Sequence, residues 1–69
     1  DVYHYSVEIE TSKEINIKSY QKYLQHHHFD NEKIVYYYRF VSNNKNEIEE
    51  IYQTFKSLDQ LKSIDVKYE

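Results

Sequence analysis

The residues 33–42 decide what this chain can fold into. They read Lys-Ile-Val-Tyr-Tyr-Tyr-Arg-Phe-Val-Ser, β-branched and aromatic almost throughout. On an extended backbone Ile34, Tyr36, Tyr38 and Phe40 fall on one side, and Val35, Tyr37, Arg39 and Val41 on the other. A strand that is apolar on both faces belongs in the middle of a sheet. The rest of the chain must therefore supply neighbouring strands and a layer to cover them.

Two further segments alternate with period two, the mark of half-buried strands. Residues 2–10 set Tyr3, Tyr5, Val7 and Ile9 against His4, Ser6, Glu8 and Glu10, and residues 63–68 set Ile64, Val66 and Tyr68 against Asp65 and Lys67. Helical spacing fills the gaps between strands. Ile48, Ile51, Tyr52, Phe55, Leu58 and Leu61 form one stripe. Asn46 and Glu49 stand at capping-box spacing at its start, and Lys62 at its negative end. Ile17, Tyr20, Leu24 and His27, with Tyr23 beside them, predict another helix over 17–28. Residues 11–16 read two ways. Thr11 and Glu14 also have capping-box spacing, whereas Ile15 and Ile17 continue the strand alternation through a short hairpin at 11–14.

The chain has no glycine and no proline, so its turns fall to Asp30-Asn31 and Asn43-Asn44, residue types that tolerate left-handed geometry. The expected fold is α/β, a two-layer sandwich with a three-stranded sheet and two helices on one face in β-α-β-α-β order. Residues 1–69 form a single small domain. Each connection, at about 20 residues, is long enough for a right-handed crossover. Two such crossovers put strand 33–42 between the other two and both helices on one side. The arrangement resembles half of a ferredoxin-like fold.

Composition narrows function mainly by exclusion. Without cysteine there is no disulfide, thiolate metal site or cysteine nucleophile, and without glycine no phosphate-cradling loop. The 9 basic and 12 acidic residues are interspersed and sum to −3, which argues against general duplex binding. No apolar run is long enough to span a bilayer and no targeting segment is visible, so the expectation is a cytoplasmic protein without membrane contact. Alanine, methionine and tryptophan are also absent. The abundant Lys, Asn, Ile, Tyr and Glu have AT-rich codons, which points to a low-GC bacterium, a phage or another mobile element, a protist, or a reduced-alphabet design. The missing initiator methionine suggests a processed chain or an accessory domain excised from a larger protein.

The uncovered sheet face is the expected binding surface. It would carry His4, Ser6, Glu8 and Glu10 on one edge, Val35, Tyr37, Arg39 and Val41 in the middle, and Asp65, Lys67 and Glu69 on the far edge. An apolar and aromatic stripe with a charged rim has the make-up of a protein interface. For so small a chain, apolar burial and the entropy of ordering nearly cancel, which favours a second copy as partner. Arg39, the single arginine, is expected either to pair across strands with Glu8, Glu10 or Asp65 or to anchor a partner's carboxylate or phosphate. Alternatively, the chain's own termini or residues 11–16 cover Val35 and Val41.

His26-His27-His28 is expected to end a helix rather than hold a metal, because successive helical residues point about 100° apart. His26 and His28 share a face only if the segment is extended. A His-x-His pair on a strand with a tyrosine nucleophile is the layout of single-strand nicking enzymes. Glu47, Glu49 and Glu50 fit a solvated helix start, and no catalytic constellation is apparent. The sequence thus predicts a non-enzymatic, cofactor-free protein-binding module. It would be a homodimeric regulator or inhibitor, in an anti-defence setting if the genome is a phage's. The alternative is a single-stranded nucleic-acid-binding or nicking domain built on Tyr37, Arg39, His26 and His28.

Overall fold

Val35–Ser42 does form an interior strand, but in a different sheet from the one expected. The computed structural model describes residues 2–68. It contains β1 (Tyr5–Thr11), a short 3-10 segment (Lys18–Tyr23), β2 (Leu24–Asp30), β3 (Val35–Ser42), α1 (Lys45–Phe55) and β4 (Leu61–Tyr68). The four strands make one sheet in the order β2-β3-β1-β4, with every neighbouring pair antiparallel. This is a small α+β domain with one main helix. The expected three-stranded sheet, second helix and β-α-β-α-β order are all corrected. The connection pattern is that of the split β-α-β-β-α-β arrangement, with the 3-10 segment in place of the first helix.

The largest correction is at 17–28, where the helical stripe is built without an α-helix. Three-residue spacing suits a 3-10 turn, and Tyr20 N–H donates to the Ile17 carbonyl at 2.8 Å. Beyond it, Leu24 opposes Phe40 and His26 opposes Arg39, so Gln25 is an extra residue, a β-bulge. The bulge shifts the strand's phase, which brings Leu24 and His27 to the same face although they are three apart. A helical spacing thus comes from a 3-10 turn joined to a bulged strand. Residues 12–17 are irregular, neither helix nor hairpin, and Ile15 N–H donates to the Tyr38 hydroxyl at 3.1 Å.

α1 stops at Phe55, short of the expected stripe; Leu58 lies beyond it and Leu61 and Lys62 belong to β4. Its cap is Asn44 rather than Asn46, with Asn44 Oδ1 accepting from Asn46 N–H at 2.9 Å. Both expected turns occur. Asp30 Oδ1 accepts from the N–H groups of Glu32 and Lys33, forming the turn between β2 and β3. The left-handed residue of that turn is Ile34, at φ 58°, not an asparagine.

The core lies between α1 and the facing side of the sheet. Val7, Ile9, Tyr38, Phe40, Ile48, Ile51 and Phe55 form its buried cluster. Phe55 stacks on Phe40 with centroids 5.9 Å apart and meets the edge of Tyr20 at 5.7 Å, which ties the 3-10 segment to the helix layer. Tyr36, Tyr38 and Phe40 therefore face the helix. Val35, Tyr37, Arg39 and Val41 face away from it.

Candidate functional site

The face opposite α1 brings four strands' worth of side chains together. Register and alternation place His26 and His28 (β2), Val35, Tyr37, Arg39 and Val41 (β3), Ser6, Glu8 and Glu10 (β1), and Ser63, Asp65 and Lys67 (β4) on it. Of the predicted surface, Glu8, Tyr37 and Arg39 share this face with both valines. His4 precedes β1, at the opposite end from Glu10, the residue that opposes Tyr37. Its backbone N–H donates to Asn43 Oδ1 at 2.8 Å. Glu69 lies outside the described residues.

Two residues of the apolar stripe are buried within the single chain. Val35 is 5% exposed and Val41 6%, so the chain itself covers both. Val41 lies in an open cleft of ≈ 590 Å³ lined also by Tyr3, Lys22, Tyr23 and Gln25. What the face presents instead is a polar lattice. The Tyr37 hydroxyl donates to Glu8 Oε2, and Lys67 Nζ lies 3.0 Å from Glu8 Oε1. Lys33 Nζ reaches Glu10 at 3.3 Å, and Ser63 Oγ donates to the other oxygen of Glu10 at 2.9 Å. Arg39 opposes Glu8 in register, yet its guanidinium donates to Gln25 Oε1, the residue set out by the bulge.

The electrostatics of the pair at the centre follow from these bonds. Tyr37's hydrogen bond, followed by that of Lys67, holds the Glu8 carboxyl below the usual carboxylate range. Burial, and then donation to Glu8, pushes the Tyr37 hydroxyl up to about 12. A phenol held protonated as a donor is a poor nucleophile, which weighs against the nicking alternative. Three cations (Lys33, Arg39, Lys67) share the face with four carboxylates (Glu8, Glu10, Asp30, Asp65), so its charge is mixed rather than basic.

Extension of residues 24–30 changes the histidines most. His26 and His28 point to the open face, with ring centroids 5.1 Å apart and Tyr37 at 6.0 and 4.9 Å. His27 points the other way and stacks on Tyr38 at 4.4 Å, with 10° between the planes. The expected helix end is an edge strand. Among the described residues, no group of three or more His, Cys, Asp or Glu is placed to hold a metal, and no helix is long and apolar enough to cross a membrane.

Sequence reasoning missed the β2 edge itself. Gln25 to Phe29 are five consecutive exposed residues, and no formal charge occurs from Leu24 to Phe29. The one signal for it was that His26 and His28 could act together only on a strand. Comparison with protein-family models, curated proteins and solved structures finds no match.

Proposed function

We propose that this chain is a protein-binding module that recruits its partner by strand addition along β2, the first partner being a second copy of itself. The observation that carries the reading is the run of edge strand without charge. A terminal strand exposes unpaired N–H and C=O groups, and proteins that avoid pairing place charge on such strands. β2 has none between Leu24 and Phe29, so two antiparallel copies meet without like charges opposed. Centred on His27, such a pair sets Gln25 opposite the partner's Phe29, an aromatic that is 43% exposed in the single chain. Tyr37 and Arg39, one strand in, extend the contact as side-chain anchors of the types enriched at interfaces. The marginal stability of so short a chain favours such an extension of the sheet. Occupying a partner's surface in this way also fits the regulator or inhibitor role expected from the sequence.

Sedimentation at ~100 µM, where even micromolar association is visible, tests it. The wild type should run as a dimer, Phe29→Lys as a monomer with an unchanged circular dichroism spectrum, and Lys62→Ala, on the other edge, as a dimer. A monomeric wild type, or a Phe29→Lys variant that stays dimeric, contradicts the reading.

A further inference from the structure

We propose that His26 and His28 form a bidentate site for a divalent transition metal of the imidazole-preferring class, Zn²⁺, Ni²⁺ or Cu²⁺. The objection to a metal here was helical geometry, and the segment is a strand. Alternation puts both rings on the open face, and both residues are exposed. Neither imidazole makes a hydrogen bond or ion pair among the described residues.

The spacing of the rings fits the ion. With Zn–N near 2.1 Å and the ring centroid about 1.1 Å behind the nitrogen, each centroid sits ~3.2 Å from the metal. Two such ligands at a tetrahedral angle have centroids about 5.2 Å apart. The observed separation is 5.1 Å, with 79° between the ring planes. Asp30, two residues on along the same face, accepts from the Glu32 and Lys33 N–H groups through Oδ1, and an imidazole pair suits Zn, Ni and Cu rather than Mg or Ca. Two protein ligands leave further positions open, so the ion is held in exchange with water rather than caged. This site does not depend on strand addition at β2, since both ligands come from one chain.

Zinc chloride added to the full chain tests it, read by the melting temperature and by the ring nitrogen resonances of the histidines. A ligand that binds only the folded state must raise the melting temperature. The site predicts such a rise together with shifts at His26 and His28. It predicts at least a tenfold weaker response in His26→Gln or His28→Gln and none in the double variant. His4→Gln should respond as the wild type does. At His27 the ring resonances should move little, because that ring lies against Tyr38 on the other face. No response up to millimolar zinc means that the rings make only an aromatic edge contact, and overturns the proposal. A response that survives in the double variant, or that His4→Gln abolishes, overturns it as well.

Discussion

β4 closes one side of the sheet with Lys62, Asp65 and Lys67 along its length, whereas β2 closes the other with Leu-Gln-His-His-His-Phe. β4 is also held from above. α1 packs over β1, β3 and β4, the Tyr68 hydroxyl donates to Glu49 at 2.8 Å, and Lys45 lies over the Tyr68 ring. β2 is steadied by its hairpin with β3 and by His27 on Tyr38, and it keeps five successive residues exposed. The two edges share a sheet but not a surface chemistry. One carries charges along its length, by which proteins discourage pairing, and the other carries only Asp30, at its end. The binding function proposed above rests on this difference between the edges.

The largest effect on this comparison should come from Phe55→Ala. Phe55 sits on α1, which packs over β4, and touches Phe40 of β3 and Tyr20 ahead of β2, so it ties the two sides of the sheet together. The loss should be roughly 3–5 kcal/mol. Both edges should unfold in a single transition in denaturant, and a separate melting of β2 would show that the halves are independent.

Stripping the guarded edge should make it behave like the other. Replacing Lys62, Asp65 and Lys67 together by Thr should turn the dimer into larger, concentration-dependent assemblies, visible by light scattering. An unchanged dimer would mean that charge is not what separates the edges.

A smaller change concerns the hairpin that carries β2. Ile34 is β-branched and sits at φ 58°, a conformation costing roughly 1–2 kcal/mol for such residues. It is 67% exposed, so little packing is lost on replacement. Ile34→Asn should gain about 1 kcal/mol in chemical denaturation, without altering association.

The smallest effect is on pH dependence. Tyr37 is raised to about 12 in the folded chain, so its contribution is complete below pH ~10 and is lost as pH rises through the folded value. Glu8 is lowered, so its contribution is present above the ordinary carboxylate range and is lost as pH falls through the folded value. Tyr37→Phe should therefore flatten both limbs of the stability profile, measured as denaturation midpoint against pH.

The central pieces of the fold were legible because their patterns have one physical solution. The doubly apolar stretch at 33–42 gives the interior strand Val35–Ser42, and of the stripe Ile48, Ile51, Tyr52, Phe55, Leu58 and Leu61 the part up to Phe55 is the helix, with Ile48, Ile51 and Phe55 buried. That Val35, Tyr37, Arg39 and Val41 share a side followed as well, but which side of the strand the helix covers did not. Segment 17–28 was misread because a 3-10 turn followed by a bulge at Gln25 reproduces helical spacing, and its three histidines have no strong strand preference. That error hid an edge strand, and with it both the unguarded backbone and the meeting of His26 with His28. The burial of Val35 and Val41 was open from sequence, because it depends on what the chain folds over them.

Amide hydrogen exchange, followed residue by residue at ~10 µM and at ~500 µM, tests the role of β2 most directly, since pairing protects backbone groups that an open edge leaves exchanging. The outward-facing amides of β2 should become protected at the higher concentration, while those of β4 exchange equally fast at both. Equal exchange along the two edges at both concentrations would contradict the assignment of β2 as the binding edge.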